Sequence, residues 1–166
     1  MEREAVAAIM RVLNESGAQY LVAGGLAVIA HGYFRFTADV DLIVVLTPEN
    51  LRKIGAALEP LSYRPRLPEP LEKLGDAATR QRWIEEKNMV VFSLVSAQHP
   101  LTIIDLFVEE PFDFDEAHAR VAWQEVVPGL RAPFVAYEDL LDLKQKAGRP
   151  QDLLDIYELQ SRREPP

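Results

Sequence analysis

The chain has 166 residues, 48% of them hydrophobic and 27% charged, with no cysteine and a formal net charge of −8 at pH 7. That length fits one domain, or one domain plus a helical appendage, rather than two full domains, and the missing cysteines exclude disulfides, thiolate metal sites and a thiol nucleophile. The acidic balance weighs against a long nucleic-acid substrate, and with no apolar run near the ~20 residues of a membrane span and no leader-like N-terminus, a cytoplasmic location and no membrane partner are expected.

Residues 2–16 carry Val6, Ile9, Met10 and Leu13 on one helical stripe, and Gly17 is placed to end the helix. Tyr20 to Ala23 is a short apolar strand, Gly24-Gly25 a turn, and Leu26 to Ala30 a compact apolar helix before His31-Gly32. From Ala38 to Leu46 the period becomes two, with Asp39, Asp41, Ile43 and Val45 on one face and Val40, Leu42, Val44 and Leu46 on the other. Both faces turn apolar towards the C-terminal end, as in a central strand covered on both sides. Carboxylates two residues apart on a strand lie roughly 6 to 7 Å apart and repel by about 2.5 kcal/mol at an effective dielectric near 20. Such a pair is either solvated at a strand entrance or bound to a hard cation such as Mg²⁺, which keeps waters and shares substrate phosphates. The glycines before it let a large anion approach the backbone, and the helix that follows offers unpaired N–H groups.

Thr47-Pro48 starts a helix that runs to about Leu58. Residues 62–70 contain three prolines and read as an exposed loop, and 71–86 as a polar helix or a pair of turns. With Arg64, Arg66, Arg80 and Arg82, this insertion is either a place of substrate contacts or a plain surface segment. Met89–Val95 and Leu101–Val108 form an antiparallel hairpin. Asp105 lies among Ile103, Ile104, Leu106 and Phe107, where an ionised carboxylate is costly unless paired, hydrogen-bonded or on a metal. Residues 111–120 read as an acidic turn, followed by strands at 122–127 and 130–135 around Pro128-Gly129. The tail reads as two helices, the first with Leu140, Leu141 and Leu143 inward and stopped by Gly148. The second begins at Pro150, with Leu153, Leu154, Ile156 and Leu159 inward.

The run from Gly24-Gly25 through His31-Gly32, Arg35 and Thr37 to Asp39-x-Asp41-Leu42 resembles the nucleotidyltransferase signature of the DNA polymerase beta-like superfamily. The likeness is greatest to its small prokaryotic abortive-infection and toxin-antitoxin type. Gly25 departs from the many relatives with Ser there. The run Glu138-Asp139-Leu140 through Lys144, Ala147-Gly148-Arg149, Asp152 and Asp155-Ile156 resembles the C-terminal helix pair of the same subset. The resemblance implies an α/β (α+β) nucleotidyltransferase fold, a mixed β-sheet flanked by helices. Residues 1–136 would form the domain and 137–166 a helical pair packed on it. It implies Mg²⁺ on Asp39, Asp41 and Asp105, which are the catalytic and metal residues, and a nucleotide held by Gly24, Gly25, Arg35, Thr37 and Lys144. The implied reaction passes AMP, or another nucleoside monophosphate, from an NTP to a hydroxyl of a protein, RNA or small molecule. The alternative it leaves open is an antitoxin-like binding module with a toxin partner protein; a homo-oligomer fits either case.

Overall fold

The structure, a computed structural model, describes residues 2–163. Its elements in chain order are α1 (Arg3–Ser16), β1 (Tyr20–Val22), α2 (Gly24–Ala30), β2 (Asp39–Val44), α3 (Pro48–Leu58), β3 (Tyr63–Pro65), α4 (Ala77–Lys87), β4 (Val91–Ser96) and β5 (Ile103–Phe107). They continue with α5 (Phe114–Ala119), β6 (Ala122–Val127), β7 (Leu130–Phe134), α6 (Tyr137–Ala147) and α7 (Pro150–Ser161). The seven strands make one mixed sheet in the order β3-β4-β5-β2-β1-β7-β6, parallel between β2 and β5 and between β1 and β7 and antiparallel elsewhere. β2 is therefore the central strand.

Strand alternation divides the half of the sheet from β2 to β4 into two unlike faces. Val40, Leu42, Phe92, Leu94, Ile104 and Leu106 are buried and share one core with Ile9, Met10 and Leu13 of α1 and Leu51, Ile54 and Leu58 of α3. Their neighbours on the other face, Asp39, Asp41, Val91, Ser93, Val95, Ile103, Asp105 and Phe107, are only half-buried. The expected double cover of β2 holds at its C-terminal end, where Ile43 and Val44 are both buried. Asn50 of α3 locks this region: its side chain accepts a hydrogen bond from the Gln19 N–H (2.7 Å) and donates to the carbonyls of Gln19 (2.9 Å) and Val45 (3.0 Å).

Four local readings are corrected. Gly24 and Gly25 form the first turn of α2 rather than a turn before it, with Gly24 at φ +56° as the joint between strand and helix. Residues 63–65 are a strand, paired only with β4, and an edge position tolerates Pro65 because its missing N–H faces no partner. Residues 114–119 are a helix, capped by the Asp113 carboxylate accepting from the Glu116 N–H (2.9 Å). In α7 the inward positions are Asp152, Asp155 and Leu159, while Leu153 and Leu154 are exposed, because the two aspartates find buried cationic partners. No helix among the described residues is long and apolar enough to cross a membrane.

Candidate active site

The sheet register builds the acidic side of the site. Asp41 of β2 stands opposite Asp105 of β5, and Asp105 stands opposite Ser93 of β4, so the three side chains form one row across neighbouring strands. Ser93 Oγ donates to Asp105 Oδ1 at 2.6 Å. Asp39 lies one pleat along β2, opposite Ile103. On the other flank of β2, the Ala23 N–H donates to the Asp41 carbonyl (2.9 Å) and the Gly25 N–H reaches the Asp41 carboxylate. A Cβ on Gly24 would overlap that carboxylate, and one on Gly25 would overlap the Thr37 side chain. Both glycines are thus required by space, and Gly24 also by its φ of +56°.

The basic side comes from the loop before β2 and from the two C-terminal helices. Lys144 of α6 is buried, with Nζ 2.9 Å from Asp152 Oδ1 and 2.7 Å from Asp155 Oδ2. Arg35 Nη2 donates to Asp155 Oδ2 (2.9 Å), while its Nε approaches Oδ1 at 2.7 Å as an ion pair outside hydrogen-bonding angles. Arg149 Nε donates to Asp152 Oδ2 at 2.7 Å and the side chain stays largely in solvent. Three cations against two aspartates leave this cluster one positive charge in excess, facing the carboxylate row.

The predicted residues Gly24, Gly25, Arg35, Thr37, Asp39, Asp41, Asp105 and Lys144 all line one cleft of about 530 Å³. Lys144 differs from its expectation in aim: its ammonium is held by Asp152 and Asp155 rather than pointing freely at a ligand. Leu140, Leu143 and Ala147 give the cleft an apolar wall, and Val91 and Phe107 lie beside Asp105. Ser93 and Gln151 were not singled out from the sequence. The signal for Ser93 was its place on the hairpin face opposite Asp105, and that for Gln151 its position in the first turn of α7, where it donates to Asp155 (2.9 Å).

Burial and the neighbouring Asp105 push the Asp41 carboxyl up to about 6, against the pull of the Gly25 N–H; Asp39 adds to the rise and Lys144 opposes it. Asp105 is raised by burial and by Asp39, and drawn back by the Ser93 hydroxyl and by Arg66. The helix aspartates behave in the opposite way. Burial raises Asp152 and Asp155, but hydrogen bonds from Arg149 and Lys144 to the first, and from Lys144, Arg35 and Gln151 to the second, hold both below the ordinary range. Asp41 and Asp105 are therefore short of positive charge, and Asp152 and Asp155 are saturated with it.

This donor set fits a hard divalent cation. No three His, Cys, Asp or Glu side chains among the described residues stand close enough to cage a metal by themselves. Mg²⁺ does not ask for such a cage, since it binds through one or two carboxylates and completes its shell with water and phosphate oxygens.

No family model matches the sequence, and no curated protein matches it either. Solved structures do. ANT(2")-Ia in complex with adenylyl-2"-tobramycin superposes with a TM-score of 0.59 over 95% of this chain and 86% of its own, at 18% identity. The chain has a nucleotidyltransferase fold. The solution structure of the same antibiotic-resistance factor gives a TM-score of 0.60 at 17% identity, over 95% and 80% of the two chains. A Thermotoga maritima protein assigned as a nucleotidyltransferase gives 0.57 at 14% identity, over 96% and 92%.

Proposed function

We propose that this protein transfers a nucleoside monophosphate, AMP first among them, from an NTP to a hydroxyl acceptor, with Mg²⁺ as cofactor and pyrophosphate as the second product. The observation that carries this reading is the row Asp41–Asp105–Ser93 beside Gly24 and Gly25, with its carboxylates starved of positive charge. The adenylylated product held by ANT(2")-Ia supports the same reaction class.

In this reading Asp39, Asp41 and Asp105 are the residues that would hold Mg²⁺, which when bound supplies charge neutralisation for the triphosphate and its departing pyrophosphate. The Gly25 end of α2 gives the phosphates a close backbone approach, and Thr37 fixes the loop beside it. Arg35 and Arg149 face the triphosphate with the one surplus positive charge of their cluster, and Lys144 keeps α7 in position. Asp105, raised by burial and oriented by Ser93, accepts the acceptor proton as the new O–P bond forms and the bond from the α-phosphorus to the bridging oxygen breaks. Catalysis then comes chiefly from positioning and electrostatics.

The test is titration with ATP, GTP, CTP and UTP, with and without Mg²⁺, by calorimetry or thermal shift. Ligand at 100 times Kd stabilises the fold by about 2.7 kcal/mol. A magnesium-dependent response that disappears in Asp41→Ala is expected. Silence towards all four nucleotides would leave the second reading, a binding module of a toxin-antitoxin pair. Leu153, Leu154 and Tyr157 favour that reading, because they expose an apolar stripe along α7.

A further inference from the structure

The half-buried face of the sheet continues past Asp105 to the edge. Ser93 is bonded to Asp105, and the Arg66 N–H donates to the Ser93 carbonyl at 2.9 Å, extending the β3–β4 register by one residue. Arg66 therefore belongs to the same cross-strand row as Asp41 and Asp105, on the side away from the glycines. Neighbouring strands are about 4.8 Å apart, which puts the Arg66 backbone roughly 10 Å from that of Asp105, within reach of a long side chain. Arg66 has no ion pair among the described residues. Its neighbour Arg64, by contrast, bends back to the Tyr63 carbonyl (2.9 Å) and towards Glu59 (3.9 Å), and nearby Glu69 is engaged by Lys73. Ser93 lies between Arg66 and Asp105, and the row is flanked on the same face by the half-buried apolar side chains of Val91 and Val95 of β4 and Ile103 and Phe107 of β5.

We infer that the acceptor is a small hydroxyl compound with an apolar body and an anionic group, lying across β5 and β4 with its hydroxyl at Asp105 and its anion at Arg66. This rests on the transfer reaction proposed above. Carboxylate and phosphate are equivalent here, since a guanidinium binds either in a bidentate fork. The same surface disfavours an aminosugar such as the tobramycin of the ANT(2")-Ia complex. Its protonated amines would meet Arg66 on a face where, among the described strand residues beyond β2, Asp105 is the one carboxylate.

The experiment varies the far group within a series of phenols and adds two aliphatic alcohols of opposite charge. With saturating Mg-NTP, the full chain is offered 4-hydroxyphenylpropionate, its phosphonate analogue, its neutral amide and tyramine, together with 6-hydroxyhexanoate and tobramycin, and adducts are counted by mass spectrometry. Expected is a preference of about tenfold or more for the anions over tyramine and tobramycin. The carboxylate and phosphonate arms tell the two anion sources apart. Arg66→Gln should remove that preference and Arg66→Glu should invert it, with Mg-NTP still bound by both. Equal labelling of anions and cations, a preference for tobramycin, no labelling of any anion by a nucleotide-loaded protein, or an unaltered preference in the Arg66 variants would each overturn the inference. Loss of nucleotide binding by the parent would instead count against the proposed reaction itself.

Discussion

Replacing Asp41 by Asn should make the ligand-free protein more stable. Folding raises this carboxyl from the ordinary 3.8 to about 6, and each tenfold change in proton affinity is worth about 1.4 kcal/mol, so the ionised group opposes folding by about 3 kcal/mol. For a carboxyl raised on folding, the stabilising contribution is full below the unfolded value near 3.8 and is lost as the pH climbs through about 6. The penalty is therefore about 3 kcal/mol at pH 8 and about half that at pH 5. An Asn keeps the shape and an oxygen that can accept from the Gly25 N–H, but carries no charge. For a domain of this size the gain corresponds to roughly 6 to 12 °C in Tm at pH 8, shrinking by about half at pH 5. Differential scanning fluorimetry of parent and variant in EDTA at both pH values reads it, because titrations not coupled to Asp41 cancel in the difference. Adding Mg²⁺ and ATP should then raise the parent and leave Asp41→Asn unmoved. A variant no more stable than the parent at pH 8, or a gain that is the same at pH 5 and pH 8, would refute an electrostatic origin.

Gly24→Ala should fail in both fold and function: φ of +56° strains any residue with a Cβ, and that Cβ would overlap Asp41. Urea denaturation should show a loss of about 1–2 kcal/mol, with the nucleotide-dependent thermal shift gone. Lys144→Met leaves Asp152 and Asp155 buried with less cation, and chemical denaturation should fall by about 3–5 kcal/mol even without nucleotide; normal stability with weakened nucleotide binding would instead mean that Lys144 serves the phosphates alone. Asn50→Ala abandons the backbone groups of Gln19 and Val45, a loss of about 1–3 kcal/mol visible in the same denaturation curves.

What could be read from the sequence was what is determined locally. The unit from β1 to β2 is written in adjacent residues: a short apolar run, two glycines, an apolar helix and a period-two strand with Asp39 and Asp41. Asp105 stood out because a lone charge inside an apolar strand needs a reason. What escaped was set at long range. Residues 63–65 become a strand only because β4 offers its edge, and three residues carry no period of their own. In α7, leucines at 153 and 154 outweigh aspartates in any hydropathy pattern, yet Asp152 and Asp155 face inward because Lys144 and Arg35 wait there, the latter 120 residues away in the chain. Ser93 looks like any polar strand residue until the register sets it against Asp105.

The saturation of Asp152 and Asp155 explains why Asp41 stays under-compensated beside so many cations. Lys144 is near enough to Asp41 to lower its carboxyl, and an unrestrained ammonium would pair with it and occupy the place proposed for Mg²⁺. Two short contacts to α7 hold Nζ on the helix side instead. Asp155→Asn releases one of them, along with the partner of Arg35, and lets Lys144 or Arg35 turn to the sheet carboxylates. The variant should therefore lose most of its Mg²⁺-dependent response to nucleotide while keeping Asp39, Asp41 and Asp105 intact. The double variant Asp155→Asn/Lys144→Met should recover part of it, since the competing ammonium is gone, although the fold is no more stable. Isothermal titration of Mg-ATP against parent, single and double variants decides it: undiminished binding in Asp155→Asn, or no recovery in a double variant that remains folded, would show that α7 does not keep the cation site open.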